Sequence, residues 1–76
     1  SLVFKCHDDS VKFIETLENG LILTADNKGV LKTWTWNKNN LIETSSNNLN
    51  NPITSLLLTE FYILIGLENG YIIMYA

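Results

Sequence analysis

The chain is a succession of short apolar runs cut at close intervals by polar segments. Val11 to Leu17, Leu21 to Ala25, Val30 to Trp36, Leu41 to Ser45, Ile53 to Leu58, Tyr62 to Gly66 and Tyr71 to Tyr75 are the main runs. Val, Ile, Thr and aromatic residues recur in them, which is the composition of strands. Glu18-Asn19-Gly20, Asp26 to Gly29, Asn37 to Asn40 and Leu67 to Gly70 carry the residues of tight turns. Leu21 to Ala25 is apolar at both parities, as expected of an inner strand covered on two sides. Leu2-Val3-Phe4 reads as a further short strand, Cys6 to Ser10 as a polar connection, and 46–52 (SNNLNNP) as an asparagine-rich loop closed by Pro52. A helix over Ile53 to Ile65 competes, because Ile53, Leu57, Phe61 and Leu64 fall on one helical face. It has no convincing cap. The predicted class is all-β.

The runs repeat. Residues 21–34 (LILTADNKGVLKTW) align with residues 62–75 (YILIGLENGYIIMY) at a constant shift of 41, from Gly29 to Gly70, Leu31 to Ile72 and Trp34 to Tyr75. Leu-Glu-Asn-Gly also recurs, at 17–20 and 67–70, but that shift of 50 matches one turn and little else. A period near 40 residues filled with strands is the signature of a propeller blade. The expected architecture is a partial β-propeller: two four-stranded antiparallel blades, the second incomplete, of a larger ring. One unit spans 7–45, a second spans 53–76, and the whole of 1–76 is part of one domain. The start at Ser1 and the end within a strand-like run suggest a piece of a longer polypeptide.

In order and rough spacing, His7, Val11, Leu21 to Thr24, Gly29, Leu31 and Trp34 resemble a blade of the WD-repeat β-propeller family. The resemblance implies a hydrogen-bonded tetrad of His, Ser or Thr, Asp and Trp. His7, Thr24 and Trp34 fill three places. The Asp place, just before Gly29, holds Lys28, with Asp26 as a substitute two residues earlier. In the second copy the aromatic is Tyr75, the Asp place is Asn69, and no His precedes Ile53. The resemblance also implies that Leu2-Val3-Phe4 is the outer strand of a preceding blade. It further puts the partner face on one rim, whose candidate residues are Asp8, Asp9, Lys28, Asn48, Glu68 and Asn69. That rim is expected to be mildly acidic and to suit a basic or neutral peptide.

Composition narrows the function. Charged residues make up 17% of the chain, the net charge is −3, and the five cations are all lysines. Nucleic-acid or anionic-membrane binding needs clustered positive charge, so neither partner is expected through this segment. One cysteine excludes an internal disulfide framework. With no Asn-x-Ser/Thr sequon among ten asparagines, it leans towards an intracellular, reducing compartment. The longest apolar runs, such as Phe61 to Leu67, are too short to span a bilayer.

Candidate chemistry is sparse. Cys6-His7-Asp8-Asp9-Ser10 holds the residue types of a nucleophilic site, but neighbours along an extended segment diverge and do not converge on one atom. No second spaced cluster completes a metal site. Trp34 and Trp36 share one face of a strand, either as a stacking platform or as packing between blades, and packing is favoured. An active site in the central channel would need titratable groups on Val11 to Leu17 and Ile53 to Leu58, which offer only Lys12 and Glu15. The expectation is a non-enzymatic interaction scaffold without cofactors, working with other proteins and with further blades of its own chain. The alternative is a structural propeller subunit of a vesicle coat, tether or ribonucleoprotein assembly.

Overall fold

The computed structural model describes residues 1–76 and contains seven strands and no helix. They are β1 (Val11–Thr16), β2 (Ile22–Asp26), β3 (Val30–Asn37), β4 (Asn40–Asn48), β5 (Ile53–Leu58), β6 (Ile63–Leu67) and β7 (Ile72–Tyr75). The first four form one antiparallel sheet in chain order and the last three form a second. The competing helix over Ile53 to Ile65 is excluded: β5 and β6 occupy that stretch, joined by a turn at 59–62.

Two boundaries differ from expectation. Leu2-Val3-Phe4 forms no strand, having no partner to pair with; Phe4 instead meets Trp36 edge to face, with ring centroids 5.8 Å apart. β4 extends to Asn48, because the long strand β3 offers it partners throughout: Lys32 pairs with Ser46, Leu31 with Asn47 and Val30 with Asn48. The asparagine-rich connection therefore shrinks from 46–52 to 49–52.

The sheet registers carry the repeat. Ile22 pairs with Trp34 and Ala25 with Leu31; Ile63 pairs with Tyr75 and Gly66 with Ile72. Each partner is shifted by 41. The first strands repeat too, at a shift of 42, from Val11 opposite Asp26 to Ile53 opposite Leu67. Both carry a bulge at the equivalent place, at Lys12 and at Thr54. The one-residue difference is absorbed in the hairpins, which are 17–21 in the first sheet and 59–62 in the second.

The Leu-Glu-Asn-Gly match at 50 is a shared turn and not the repeat. In one copy the Leu17 amide donates to Leu21 O (2.7 Å) and Gly20 to Leu17 O (3.0 Å); in the other Leu67 donates to Tyr71 O (2.9 Å) and Gly70 to Leu67 O (3.1 Å). Yet the two turns join non-equivalent strands, β1–β2 and β6–β7. Only the glycines take positive φ, 86° and 93°. Asn19 and Asn69 contribute instead through their side-chain oxygens, which accept from the amides of Leu21 and Tyr71.

Strand alternation sorts the side chains into faces. One face of the first sheet presents Leu23, Ala25 and Leu31. It packs on Ile53, Ile65 and Leu67 of the second sheet, and these six form the buried core. Phe13 from the first sheet and Leu56, Leu58, Ile63, Ile73 and Tyr75 from the second join it. Asn47 of β4 donates to the Tyr75 hydroxyl across the same junction (2.7 Å).

The two contacting faces are not equivalent under the repeat. Shifting Leu23, Ala25 and Leu31 by 41 gives Leu64, Gly66 and Ile72, on the far side of the second sheet. The sheets thus stack head to tail, each offering a different face to its neighbour. Leu31 is 7% exposed whereas Ile72 is 72% exposed, with Met74 at 61% and Leu57 at 57% beside it.

Candidate functional site

The other face of the first sheet holds a buried polar network. Thr24 and Asp26 alternate with Leu23 and Ala25 along β2, so they project away from the apolar junction. Trp34 pairs with Ile22 and lies on the same side. His7, in the segment before β1, drops onto this face and is buried there. The Trp34 indole Nε1–H donates to Thr24 Oγ1 (2.8 Å), Thr24 Oγ1 meets His7 Nε2 (2.6 Å), and His7 Nδ1 meets Asp26 Oδ2 (2.9 Å). One proton assignment satisfies every link. The indole donates to the hydroxyl, the hydroxyl donates to Nε2, and Nδ1–H donates to the carboxylate.

Asp26 does a second job with its other oxygen. Oδ1 accepts from the backbone amides of Lys28 and Val30, both at 3.0 Å, and so shapes the turn between β2 and β3. Burial raises the Asp26 pKa, but the Val30 amide, the His7 ring and the Lys28 amide outweigh it, and the carboxyl titrates below its ordinary value. His7, Thr24, Trp34 and Asp26 are therefore brought together, while Lys28, in the place expected for the acid, contributes only its amide. The signal for Asp26 was its position as first residue of the turn, where an Asp side chain bonds backbone amides two and four residues on. No buried side-chain nitrogen or oxygen lacks a partner.

A hydroxyl, an imidazole and a carboxylate in series are the parts of an acyl-transfer triad. Here Thr24 is buried and its oxygen already accepts the indole N–H, so no substrate carbonyl can reach it. The geometry suits a lock. A buried group stripped of its partner costs about 1–3 kcal/mol, and this chain of bonds leaves none stripped.

Above the lock lies an open polar groove of about 940 Å³. Asp8, Asp9, Lys28 and Asn48 line it, Asn48 from the end of β4 and not from a loop. Glu68 and Asn69 do not. Their amides face the 49–52 connection instead, donating to Pro52 O (2.9 Å) and to the Asn51 side chain (3.1 Å). The groove also takes in Lys5 and Lys32, which the sequence pattern did not single out. Three lysines therefore face three aspartates, and the expected acidic excess is absent. Of these charges, Asp26 is held by His7, and Lys32 bridges to Glu43 (2.7 Å). Asp8, Lys5 and Lys28 stand exposed, with Asp9 half-buried beside them.

Of the remaining candidates, Trp36 is half exposed and covered on one edge by Phe4, and Cys6 is a half-buried free thiol. The Lys12 ammonium donates to Ile53 O (2.7 Å), tying the bulge of the first sheet to the second. Comparison with known proteins finds no match: no protein-family model, no curated protein and no solved structure is similar to the chain.

Proposed function

We propose that the two sheets are neighbouring blades of a WD-like propeller and that the chain is a non-enzymatic scaffold for protein partners. The observation that carries this reading is the head-to-tail stack. An interface between equivalent faces closes on itself, whereas one between different faces leaves a free face at each end. In the second sheet that free face, with Leu57, Ile72 and Met74, corresponds to the face buried in the first. Further sheets stacked radially would cover it, and a closed ring would leave no free end. The His7–Thr24–Trp34–Asp26 lock and the Trp34 position support the WD-like assignment.

In such a scaffold the strands are the frame and the polar groove is the partner face. Its exposed Asp8, Lys5 and Lys28 offer paired charges of both signs, suited to a polar peptide segment of mixed charge. The test is affinity purification of the tagged native protein beside its D8K/D9K variant. A stoichiometric protein partner is expected, with at least one released by the charge reversal. An unchanged set of partners would remove the groove from the reading.

A further inference from the structure

A second cleft lies at the opposite strand ends, where the hairpin 17–21 of the first sheet faces the hairpin 59–62 of the second. It has a volume of about 550 Å³, within the roughly 300–1,000 Å³ range of binding clefts. Its floor is apolar: Leu17, Leu58, Ile63 and Tyr75 reach it from the core. Phe61 and Tyr62 form a wall, and Phe61 is 76% exposed. Glu18 and Glu60 are the only charged residues that line it.

We infer that this cleft docks an extended segment of a partner protein carrying an aliphatic or aromatic anchor flanked by lysine or arginine. Three observations converge. The floor is apolar and the lip carries two carboxylates with no cation, so the complement is an apolar side chain between positive charges. The aromatic wall sits where the repeat departs from itself. The first hairpin is Leu-Glu-Asn-Gly-Leu, with small and polar residues at its tip; the second is one residue shorter and carries Phe61 and Tyr62. A bare phenyl ring at a solvent-exposed turn adds nothing to the stack, since sheet packing needs only the floor. The backbone that carries the wall is also held in place: Thr59 Oγ1 accepts from the amides of Phe61 (3.3 Å) and Tyr62 (3.0 Å), and the Thr59 amide donates to Tyr62 O (2.9 Å). An anchor entering the cleft therefore meets a turn whose backbone is already formed, which lowers the ordering cost of binding.

This inference needs only the two-sheet stack and does not depend on ring closure or on the polar groove.

The probe is a fluorescein-labelled octapeptide, Gly-Lys-Leu-Phe-Lys-Ile-Lys-Gly, titrated with the intact chain by fluorescence anisotropy. A twin peptide replaces each lysine with glutamate. Binding of the lysine peptide is expected, with at least a tenfold preference over its twin. The F61S variant should weaken it by about tenfold or more, as loss of an aromatic anchor does. E18Q/E60Q should weaken it by about three- to fivefold at low salt and flatten its salt dependence. Phe61, Glu18 and Glu60 are exposed, so both variants keep the wild-type circular dichroism and tryptophan emission. No binding of the lysine peptide, equal binding by F61S, or equal binding of the glutamate twin would each overturn the inference.

Discussion

The two sheets share one strand plan but treat the same face in opposite ways. In the first sheet the face bearing Ile22, Thr24, Asp26, Lys32 and Trp34 is sealed by hydrogen bonds to His7 and through the Thr24 hydroxyl. Shifted by 41, those positions become Ile63, Ile65, Leu67, Ile73 and Tyr75, the face that packs against the first sheet. A polar lock thus stands where its counterpart is an apolar junction. Both solutions obey one rule: a buried strand face is either apolar or fully hydrogen-bonded. With a neighbouring sheet on that face, an aspartate at position 67 would have had to shed its water without a partner.

Exchanging residues between equivalent places puts the contrast at risk. The largest effect is expected from L67D, which sets an unpaired carboxylate among Ile53, Ile65 and Ala25. Its cost is about 3–5 kcal/mol, read as the shift in urea unfolding free energy. A loss under about 1 kcal/mol would mean that the junction tolerates charge, and the contrast between the two faces would fail.

The reverse exchange, D26L, removes the acceptor of His7 and of the Lys28 and Val30 amides. A loss of about 2–3 kcal/mol is expected. D26N separates charge from shape, because its side-chain oxygen still serves the turn. The sign follows from linkage. The folded-state pKa of Asp26 is lowered, so its contribution is present above the unfolded value of about 3.9 and is lost as pH falls through the folded one. Wild-type stability should therefore decline below about pH 4 more steeply than that of D26N. Parallel acid limbs in the two proteins would show that the carboxylate charge is idle.

Gly29 and Gly70 are equivalent positions with positive φ, 101° and 93°. They differ in surroundings. A side chain on Gly29 would run into the carbonyl oxygen of Asn51, whereas one on Gly70 would meet open space. G70A should cost about 1–2 kcal/mol for backbone strain alone. G29A carries the same strain and a clash with backbone besides, so its unfolding free energy should fall further, by about 1 kcal/mol or more. Equal costs would mean that the 49–52 connection yields freely.

The strand plan was legible because its signals are local. Hairpin glycines and β-branched runs report their own neighbourhood, and the 41-residue shift needed only a count. What was not legible depended on long-range partners. Asp26 joins His7, 19 residues away, and its fitness as the fourth member is set by which face β2 turns toward that segment. Leu2-Val3-Phe4 has strand composition, but a strand exists only where another lies beside it. The loop expectation failed at Ser46 to Asn48 for the converse reason: polar residues become strand when a long neighbour such as β3 offers hydrogen bonds. The groove lysines, Lys5 and Lys32, sit in separate segments and gather only after folding.

The smallest effect tests the direction of the stack. Each first strand bulges at one residue, and the bulge side chains diverge. Lys12 reaches across to the carbonyl of Ile53 in the next sheet, while Thr54 turns back to Gly66 O in its own sheet at 3.2 Å. K12M keeps the aliphatic stem and removes the cross-sheet bond, at a cost of about 0.5–1.5 kcal/mol. If the strap matters only because a second sheet lies beyond it, the equivalent change at the second bulge, T54V, should cost less, since its bond stays at an exposed edge within one sheet. Measured side by side by urea unfolding, K12M more costly than T54V supports a stack built in one direction. The opposite order would place the weight of the bulge within each sheet and leave the head-to-tail contact to the apolar core alone.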